Sequence, residues 1–273
     1  MPKFPGDMGL RLRRMSEFTA RQEDVYVCGY PKSGGNWLWE ICNMLLIGNT
    51  EYVKGNKMLA MLDFCDQEHF DKMRSPRCLS HHLQFEDIPP DVFRKGSKMV
   101  YILRNPKDVC VSHYHHHKGL VGVYDYHGIW PDYFEMWLEG KADYGKWSTH
   151  VKGWERGIKE HPTAPIHVIY YESLKRNFDS EVHRLAEFLC LPRNEPFFKR
   201  LSEKCDFAAM KKGKTKVGYS EEERQQWRNG EIGFLRKGVI GDWKNHFTTD
   251  QNKRFDKVYE KEMKDSKMHI VFE

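Results

Sequence analysis

The stretch VYVCGYPKSGGNW at residues 25–37 decides the fold class of this protein. Its first part, VYVCGY at 25–30, is rich in β-branched and aromatic residues, which predicts a short buried strand. Gly34 and Gly35 follow, and apolar residues then recur at helical spacing from Trp37 onward. The stretch therefore predicts a strand, a glycine-containing loop and a helix in immediate succession.

The same alternation returns further along the chain. Residues 99–103 (MVYIL) and 166–171 (IHVIYY) predict two more strands, each followed by a helical pattern. After residue 103, Asn105 and Pro106 are residue types favoured at an N-cap and at the first position of a helix. Strands that alternate with helices predict an α/β fold, with a central parallel sheet covered by helices on both faces.

Neither an internal repeat nor a flexible linker divides the 273 residues. We therefore expect a single domain over residues 1–273, in which residues 1–23 form a partly irregular N-terminal extension. Near the other end, the pattern predicts a final helix that carries the apolar residues of 255–263, with Thr249 as its N-cap.

Charge and cysteine content narrow the class of protein. The net charge of +5 is a mild basic excess, which suits a small polyanionic ligand or simply solubility, and is unlike the clustered charge of a nucleic-acid-binding protein. Seven widely spaced cysteines without a C-x-x-C pair indicate reduced thiols. The sequence has no signal peptide and no apolar run approaching about 18 residues. We expect a cytoplasmic protein without a nucleic-acid or membrane partner.

The loop after the first strand has the residue types of an anion site. Backbone N–H groups at the start of a helix favour anions, and Gly34 and Gly35 let the backbone approach a phosphate closely. Lys32 adds a positive charge and Ser33 adds a hydroxyl donor. The loop is not a Walker A motif, because Lys and Ser precede the glycines. Phosphate binding and a plain turn are both compatible with this spacing.

Two more segments are candidate anion sites. Arg104 follows the second predicted strand, at the end of the sheet where ligands bind in open α/β folds, and Ser112 lies two helical turns further on. Arg236, Lys237 and Gly238 form the other segment. Each could instead be ordinary surface, since most exposed basic residues face solvent. Three anion sites in one chain indicate a ligand with separated phosphates.

Three long segments resemble motifs of the cytosolic sulfotransferase family. YPKSGGNW resembles the phosphosulfate loop YPKSGTTW, RNPKDVCVSHYHHH resembles the segment that binds the 3′-phosphate, and RKGVIGDWKNHFT resembles the C-terminal signature RKGxxGDWKxxFT. Their order and spacing agree with the family from about residue 24 to near the C-terminus. The resemblance implies the P-loop-type sulfotransferase fold. It also implies transfer of a sulfuryl group from 3′-phosphoadenosine 5′-phosphosulfate (PAPS) to a small hydroxyl-bearing acceptor, with PAP as product and without a metal.

The resemblance also implies roles for individual residues. Those that would hold the 5′-phosphosulfate are Lys32, Ser33, Gly34, Gly35 and Asn36. Those that would contact adenine, by packing or by a hydrogen bond, are Trp37, Tyr171 and Phe207. Those that would hold the 3′-phosphate are Arg104, Ser112, Arg236, Lys237 and Gly238. Without the motifs, the aromatic residues would be interpreted as core.

The catalytic base is expected near residue 82. The family carries K-T-H-L-P, whose His is the base, and the matching stretch PRCLSHHLQ at 76–84 places His82 at that position. An imidazole titrates near about 6.5 and can accept a hydroxyl proton at neutral pH. His81 is the alternative, but on a strand the two side chains point to opposite faces, so only one can serve. The expected catalytic residues are His82, Lys32 and Ser33.

The chain departs from the family pattern at Ser80, which stands where the family has a Lys that contacts the transferring sulfuryl group. Loss of that charge predicts weaker stabilisation of the transition state, unless Lys32 or another cation compensates. It motivates an alternative function, a catalytically weak protein that binds PAPS or a lipophile. A second alternative, an ATP-dependent P-loop kinase, is disfavoured because the Walker A spacing is missing.

Three further expectations concern the acceptor, the histidine-rich run and assembly. The acceptor is expected to be a phenol, a steroid-like compound or another apolar alcohol. The expected pocket residues are Phe64, Phe70, Tyr124, Tyr126 and Trp130. His116 stands at a pocket position that is often aromatic in the family. The histidines at 113 and 115–117 are expected to pack at the mouth of that pocket rather than to bind metal. The four key positions of the family's dimer motif are occupied here by Lys244, Thr248, Thr249 and Lys253, and two of them differ from the motif. A homodimer is compatible with the sequence, but the family's usual dimer is not expected.

Overall fold

Four parallel strands form the centre of the computed structural model, which describes residues 15–124, 126–192, 194–217 and 219–273. The strands are β1 Val25–Cys28, β2 Cys78–His81, β3 Lys98–Leu103 and β4 Ile166–Tyr170, in the spatial order β2-β1-β3-β4. Every neighbouring pair is parallel. The predicted α/β fold is therefore confirmed. Three strands match the predicted ones to within two residues, while the sequence pattern did not single out β2.

Twelve α-helices surround the sheet in these ranges. They are α1 Gly35–Ile47, α2 Gln67–Asp71, α3 Pro90–Arg94, α4 Pro106–Gly119, α5 Trp130–Leu138, α6 Trp147–Glu160, α7 Tyr171–Arg176, α8 Phe178–Phe188, α9 Glu195–Cys205, α10 Phe207–Val217, α11 Glu221–Gln225 and α12 Thr249–Met263. Short 3₁₀ helices occur at Met15–Glu17, Lys57–Ala60, Phe85–Asp87, Arg228–Gly230 and Asp242–Asn245. Within the described ranges, no helix is both long and apolar enough to span a membrane.

Alternate residues of the strands pack into two hydrophobic cores, one on each face of the sheet. Tyr26 of β1 and Tyr101 of β3 belong to one core, where the Trp154 ring of α6 stacks on Tyr101 with ring centres 4.2 Å apart. Val27 and Val100, their neighbours along the strands, belong to the other core. Because both faces are covered, β1 is buried along its whole length. The prediction of a sheet covered on both faces is confirmed.

Of the two predicted helix caps, one agrees with the structure and the other differs by one residue. The Asn105 side chain accepts hydrogen bonds from the backbone of the first turn of α4, as predicted. The predicted cap of α12, Thr249, is wrong, because the cap is Thr248. Thr248 accepts a hydrogen bond from the backbone of Gln251, whose side chain in turn accepts one from the backbone of Thr248. This reciprocal pair selects the first of two adjacent threonines.

The predicted N-terminal extension falls partly outside the described residues, which begin at Met15. Within the described part, Met15–Glu17 form a 3₁₀ turn, and Phe18 and Ala20 are buried. The Phe18 ring meets the edge of Phe70 at a centroid distance of 5.7 Å. This part of the extension therefore packs against the main core.

All four strands end at the same edge of the sheet, because they are parallel. The loop at 29–34 follows β1, His82 follows β2, Arg104 follows β3 and Tyr171 follows β4. The connection after β1 runs to β2 on one side and the connection after β3 runs to β4 on the other, so the direction reverses between the neighbouring strands β1 and β3. A crevice forms at such a reversal in open α/β sheets. The fold thus brings residues from four distant parts of the chain to one crevice.

Candidate active site

A single cavity at the carboxyl edge of the sheet collects all but one of the residues predicted for the site. Those that line it are Lys32, Gly34, Gly35, Asn36, Trp37, His82, Arg104, Ser112, Tyr171, Phe207, Arg236, Lys237 and Gly238. Ser33 does not line the cavity. Its hydroxyl oxygen is buried and has no hydrogen-bond partner among the described residues. A buried hydroxyl left without a partner is unusual, and its role as a donor to a ligand stays a prediction.

The loop between β1 and α1 is shaped by residues in the left-handed backbone region. Lys32 has a φ of 68° and Gly34 a φ of 106°. A side chain at Gly34 would also collide with the Tyr171 ring, because a Cβ atom there would lie 2.7 Å from a ring carbon. Only glycine satisfies both conditions. The backbone therefore passes directly beneath Tyr171 and enters α1 at Gly35, where free N–H groups favour an anion.

Positive charge is concentrated on this cavity. Burial, together with the nearby charges of Arg104, Arg236 and Lys57, lowers the pKa of Lys32 to about 7. Like charges brought this close repel one another, and a bound anion relieves the repulsion. The electrostatics of the cavity thus fit a polyanionic ligand.

Arg104 is held in place by an aromatic ring and by the chain that surrounds it. Its guanidinium carbon lies 4.2 Å from the centre of the Tyr171 ring, and Nη1 donates to the carbonyl oxygen of Lys32 at 3.2 Å. The buried Nε has no partner among the described residues. Asp108 of α4 lies 3.8 Å from Nη2 and accepts a backbone hydrogen bond from Gly241 at 2.8 Å. Asp108 thereby ties the C-terminal segment to the Arg104 site, a role that the sequence pattern did not reveal.

Arg236 and Lys237 reach the same cavity while sharing one carboxylate. Asp242 accepts from Nη2 of Arg236 at 2.6 Å and from Nζ of Lys237 at 2.7 Å. Burial would raise the pKa of Asp242, but hydrogen bonds and the two cations hold it far below its usual range. Gly238 has a φ of 66°, and a Cβ atom there would lie 2.0 Å from the Phe207 ring. The segment thus packs closely on one of the predicted adenine contacts.

The three predicted adenine contacts form an aromatic wall. The Trp37 ring meets the edge of Tyr171 at a centroid distance of 5.6 Å, and its Nε1–H donates to the carbonyl oxygen of Cys205 at 2.9 Å. The ammonium group of Lys175 lies 5.8 Å from the Trp37 ring and 5.7 Å from the Phe207 ring. Trp37 and Tyr171 also pack against a core cluster. These rings therefore combine a core position with a cavity-facing surface.

His82 presents one ring nitrogen to the main chain. Nδ1 lies 2.5 Å from the carbonyl oxygen of Gly29. Because a carbonyl oxygen can only accept, Nδ1 carries the proton and Nε2 is left as an acceptor. Burial lowers the pKa of His82 well below its ordinary value, and the charge of Lys57 adds to this. The ring is therefore neutral at pH 7, as a general base must be.

A second carboxylate supports the His82 segment. Asp63 accepts the backbone N–H of His82 at 3.2 Å and the hydroxyl of Tyr144 at 3.1 Å. The Tyr144 ring meets the edge of the His82 ring with centroids 5.4 Å apart. Asp63 and Tyr144 carry no motif in the sequence, and only the fold shows that they hold this histidine in place.

The alternative base, His81, lies in the core. It is the last residue of β2, and its ring stacks on Trp154 with centroids 6.1 Å apart. Nε2 lies 3.2 Å from the sulfur atom of Cys28, and Nδ1 accepts the backbone N–H of Leu83 at 3.3 Å. His81 does not line the cavity. Of the two histidines, His82 is therefore the one placed to act as the base.

Beside His82, the structure places a lysine that the sequence analysis did not single out. Nζ of Lys57 donates to the Ser80 hydroxyl at 3.0 Å, and that hydroxyl donates to the carbonyl oxygen of Val27 at 2.8 Å. Lys57 lines the cavity. The family motif has a lysine at the position of Ser80. In this chain the cation beside that position is Lys57, which comes from another segment.

The acceptor half of the cavity differs from the predicted pocket. Phe64, Tyr124 and His116 line it, as expected. Phe70, Tyr126 and Trp130 do not, because Phe70 is buried in the core and the other two rings pack around Tyr114. Apolar and aromatic lining residues that were not predicted are Met58, Met61, Leu120, Tyr144, Phe234 and Leu235. They come from loops whose packing no sequence motif marks.

Two of the clustered histidines meet a carboxylate at the cavity wall. Nε2 of His113 and Nε2 of His117 lie 3.0 Å and 2.7 Å from Oδ1 of Asp143, and the Tyr124 hydroxyl donates to Oδ2 at 2.8 Å. Burial would raise the pKa of Asp143, but both histidines hold it well below its usual range. The two histidines are one helical turn apart, which the sequence shows, while Asp143 joins them only in the fold.

Comparisons with known proteins agree with this geometry. A family model described as the sulfotransferase domain matches residues 22–267. The chain is 34% identical over 265 residues to Sulfotransferase 1B1 of Mus musculus, covering 93% of this chain and 87% of the relative. It is 34% identical over 260 residues to Sulfotransferase 1E1 of Homo sapiens, covering 91% and 86%.

Solved structures show the same fold. Mouse sulfotransferase SULT7A1 complexed with PAP superposes with a TM-score of 0.77 at 29% identity, covering 94% of this chain and 90% of that one. Retinol dehydratase in complex with androsterone and PAP superposes with a TM-score of 0.79 at 21% identity, covering 96% and 87%. The similarity extends over nearly the whole chain in both comparisons.

Proposed function

The chain belongs to the sulfotransferase family, and we propose that it transfers a sulfuryl group from PAPS to the hydroxyl group of a small apolar acceptor, with His82 as the general base. The observation that carries the proposal is that an imidazole acceptor, a cationic loop and an apolar wall line one cavity. The cations and aromatic rings would bind the sulfuryl donor, and the apolar half of the cavity would bind the acceptor.

The residues present fit PAPS at both of its charged ends. Near Gly34 and Gly35, the start of α1 and Lys32 offer backbone N–H groups and a cation for the 5′-phosphosulfate. On the other side, Arg104 and Arg236 offer guanidinium groups, each with a buried Nε that lacks a partner among the described residues. Guanidinium groups bind phosphate through paired hydrogen bonds, so this side suits the 3′-phosphate.

In the proposed reaction, Nε2 of His82 removes the proton from the acceptor hydroxyl. The acceptor oxygen then forms a bond to sulfur while the bond from sulfur to the phosphate oxygen breaks. The bonding electron pair leaves with the phosphate, and Lys32 stabilises the charge that develops there. As in phosphoryl transfer, positioning and electrostatics supply most of the rate enhancement.

An apolar alcohol is the proposed acceptor because of the wall that faces His82. Phe64, Met58, Met61 and Leu120 provide aliphatic and aromatic surface for a phenol, a steroid-like alcohol or another alcohol of similar size. Such surfaces bind through apolar burial and leave orientation to a few polar groups. His82 is the polar group that would select the hydroxyl.

The test measures release of PAP from PAPS across a panel of phenols, steroids and aliphatic alcohols. His82→Ala is compared with His115→Ala, since His115 lies on α4 outside the cavity lining. We expect release that requires an acceptor, falls at least about 10²-fold in His82→Ala and persists in His115→Ala. Near-full turnover in His82→Ala would refute the assignment of the base. PAP binding without release for any acceptor would favour the alternative, a catalytically weak protein that binds PAPS or a lipophile.

We also propose that the protein works in the cytoplasm. The described residues contain no disulfide bond, and five of the cysteine side chains are buried, which suits a reducing compartment. The test is acid quenching of the cells, alkylation of the denatured protein so that buried thiols can react, and mass spectrometry. Seven alkylated thiols are expected, whereas oxidised cysteine pairs would contradict the proposal.

For the assembly, we propose that a homodimer would not be held by the family's usual motif. The two retained positions are engaged within the chain, because Lys244 pairs with Glu273 at 2.6 Å and Thr248 caps α12. Sedimentation of the wild type and of Lys253→Glu, which restores the acidic motif residue, tests this. An identical mass for both, or a dimer that appears only in Lys253→Glu, supports the proposal, and a wild-type dimer that is lost in Lys253→Glu contradicts it.

A further inference from the structure

Lys57 differs from the other buried lysines of the described chain. Lys57, Lys107 and Lys214 are 5%, 4% and 4% exposed. Lys107 pairs with the carboxylate of Asp256 at 2.5 Å, and Lys214 pairs with that of Glu40 at 2.6 Å. The described residues place no carboxylate within 4.0 Å of Nζ of Lys57, whose contacts are the Ser80 hydroxyl at 3.0 Å and the Met61 sulfur at 3.2 Å. The nearest charge of opposite sign named for it, that of Asp63, is hydrogen-bonded to His82 and Tyr144 instead, so the ammonium group of Lys57 has no directly paired anion and can take one from the cavity.

The cavity is where that anion can come from. Lys57 lines it together with His82 and Gly35. A Cβ atom on Gly35 would lie 4.0 Å from Nζ of Lys57, so the ammonium group faces the first residue of α1. The cation thus lies between the proposed base and the proposed phosphosulfate loop, where the group being transferred must pass.

The position of Lys57 is set by the structure around it. The Asn56 side chain caps the 3₁₀ helix by accepting the backbone N–H of Met58 at 3.0 Å. The chain just after this helix pairs with β2, because the backbone N–H of Leu62 donates to the carbonyl oxygen of Ser80 at 2.9 Å. The Ser80 hydroxyl, already donating to Val27, can only accept from Nζ. These contacts hold the ammonium group at the carboxyl end of β2.

We propose that Lys57 is a catalytic residue that contacts the transferring sulfuryl group, and that Ser80 positions it. This inference rests on the proposed sulfuryl transfer. Lys57 stabilises the negative charge on the sulfuryl and bridging oxygen atoms as the bond to phosphate breaks, and it exchanges no proton in the step. A lysine at position 80 would bring a second ammonium group to the same place, so a lysine at one of the two positions suffices.

The test compares Lys57→Met with Lys54→Met, since Lys54 is exposed on the preceding loop and does not line the cavity. We expect kcat to fall about 10²-fold in Lys57→Met and to be unchanged in Lys54→Met. The double variant Lys57→Met/Ser80→Lys should recover most of the lost kcat, because it supplies the ammonium group from β2. Far-ultraviolet circular dichroism and the Tm of each variant check that it is folded.

Binding measurements separate failure of this inference from failure of the proposed function. Calorimetry with PAPS and with PAP should show that Lys57→Met loses affinity for PAPS but not for PAP, which lacks the sulfuryl group. This comparison does not depend on turnover. If the substitution leaves the affinity for each nucleotide unchanged, or lowers both affinities by the same factor, the role of Lys57 is overturned. A wild type that binds both nucleotides but transfers nothing would overturn the proposed function alone.

Discussion

Nδ1 of His82 lies 2.5 Å from the carbonyl oxygen of Gly29, the residue that follows β1. The two residues meet because β1 and β2 pair in parallel, with Cys28 opposite His81. The sheet register therefore sets both the orientation of the imidazole and the nitrogen that carries its proton. An imidazole held by the main chain of a neighbouring strand needs no side-chain partner to fix its tautomer.

The acid limb of the pH profile should report this histidine. Burial, with the charge of Lys57, holds the pKa of His82 well below its ordinary value, so the neutral form persists as pH falls. We expect kcat/KM for the wild type to stay level as pH falls through about 6.5 and to decline only at lower pH. The profile is measured by PAP release in buffers of constant ionic strength. A decline centred on the ordinary imidazole value would contradict the burial argument.

The alkaline limb should report Lys57, because its proposed role requires the charged form. Burial lowers the pKa of Lys57 to about 8, and the charge of Asp63 opposes this shift. His82 and Lys32 also face this group from the neighbouring elements. We expect kcat/KM to fall in two steps as pH rises, near 7 where Lys32 loses its proton and near 8 where Lys57 does.

Lys57→Arg gives the matched measurement for this limb. A guanidinium group keeps its charge throughout the accessible range, so we expect the step near pH 8 to move to higher pH in this variant while the step of Lys32 remains. An unchanged alkaline limb would assign the decline to another group.

Arg104 should distinguish nucleotides by their 3′-phosphate. In Arg104→Ala, we expect the Kd for PAP to rise roughly 10–100-fold, since hydrogen bonds to a charged group contribute about 1.5–3 kcal/mol. The Kd for adenosine 5′-phosphate, which lacks the 3′-phosphate, should change far less. Titration calorimetry with both nucleotides makes the comparison. A loss of the same size for both would mean that Arg104 supports the fold of the cavity rather than the 3′-phosphate.

Two glycines with positive φ should respond differently to alanine. Gly34 has a φ of 106° and no room for a Cβ atom beside Tyr171, whereas Gly48, at the end of α1, has a φ of 74° with nothing within 4 Å. We expect Gly34→Ala to abolish PAP binding, because the loop must move away from Tyr171. Gly48→Ala should cost about 1–2 kcal/mol of backbone strain while leaving the Kd for PAP unchanged. Retained binding in Gly34→Ala would show that the loop can adjust.

A buried ion pair just before β2 should stabilise the fold strongly. Nε of Arg77 donates to Asp24 at 2.7 Å, and both side chains are fully buried. We expect Arg77→Met to lower the free energy of unfolding by about 3–5 kcal/mol, because it leaves a buried carboxylate without its cation. Urea denaturation measures the change.

Arg156→Met is the matched control for this stability prediction. Arg156 pairs with Glu86 at 3.2 Å, and both side chains are exposed. We expect a change of about 0–1 kcal/mol in this variant. Similar losses in Arg77→Met and Arg156→Met would show that burial does not decide the contribution of the pair.

Much of the nucleotide site could be predicted because its residues lie in continuous motifs. The segments around Lys32, Arg104 and Lys237 each follow a strand or occupy a single loop. The order of residues within each segment therefore determines which charged and hydrogen-bonding groups it presents. The wrong predictions of site residues concern the acceptor pocket. Phe70 was assigned to the pocket by its residue type alone, but its ring is buried in the core beside Phe18. An aromatic residue can face a core or a cavity, and its own sequence neighbourhood does not distinguish them.

The sequence by itself determined the order of most strands, loops and helices, the three candidate anion-binding segments and the candidate pair of histidines. These features depend on residues that are adjacent along the chain, whose backbone preferences act locally. Only the tertiary structure decided that His82 rather than His81 faces the cavity, and that Lys57 stands beside Ser80. Those relationships depend on strand register and on packing between distant segments. They exist only when the whole sheet is assembled, because side chains far apart in the chain become neighbours through the shared burial of their strands.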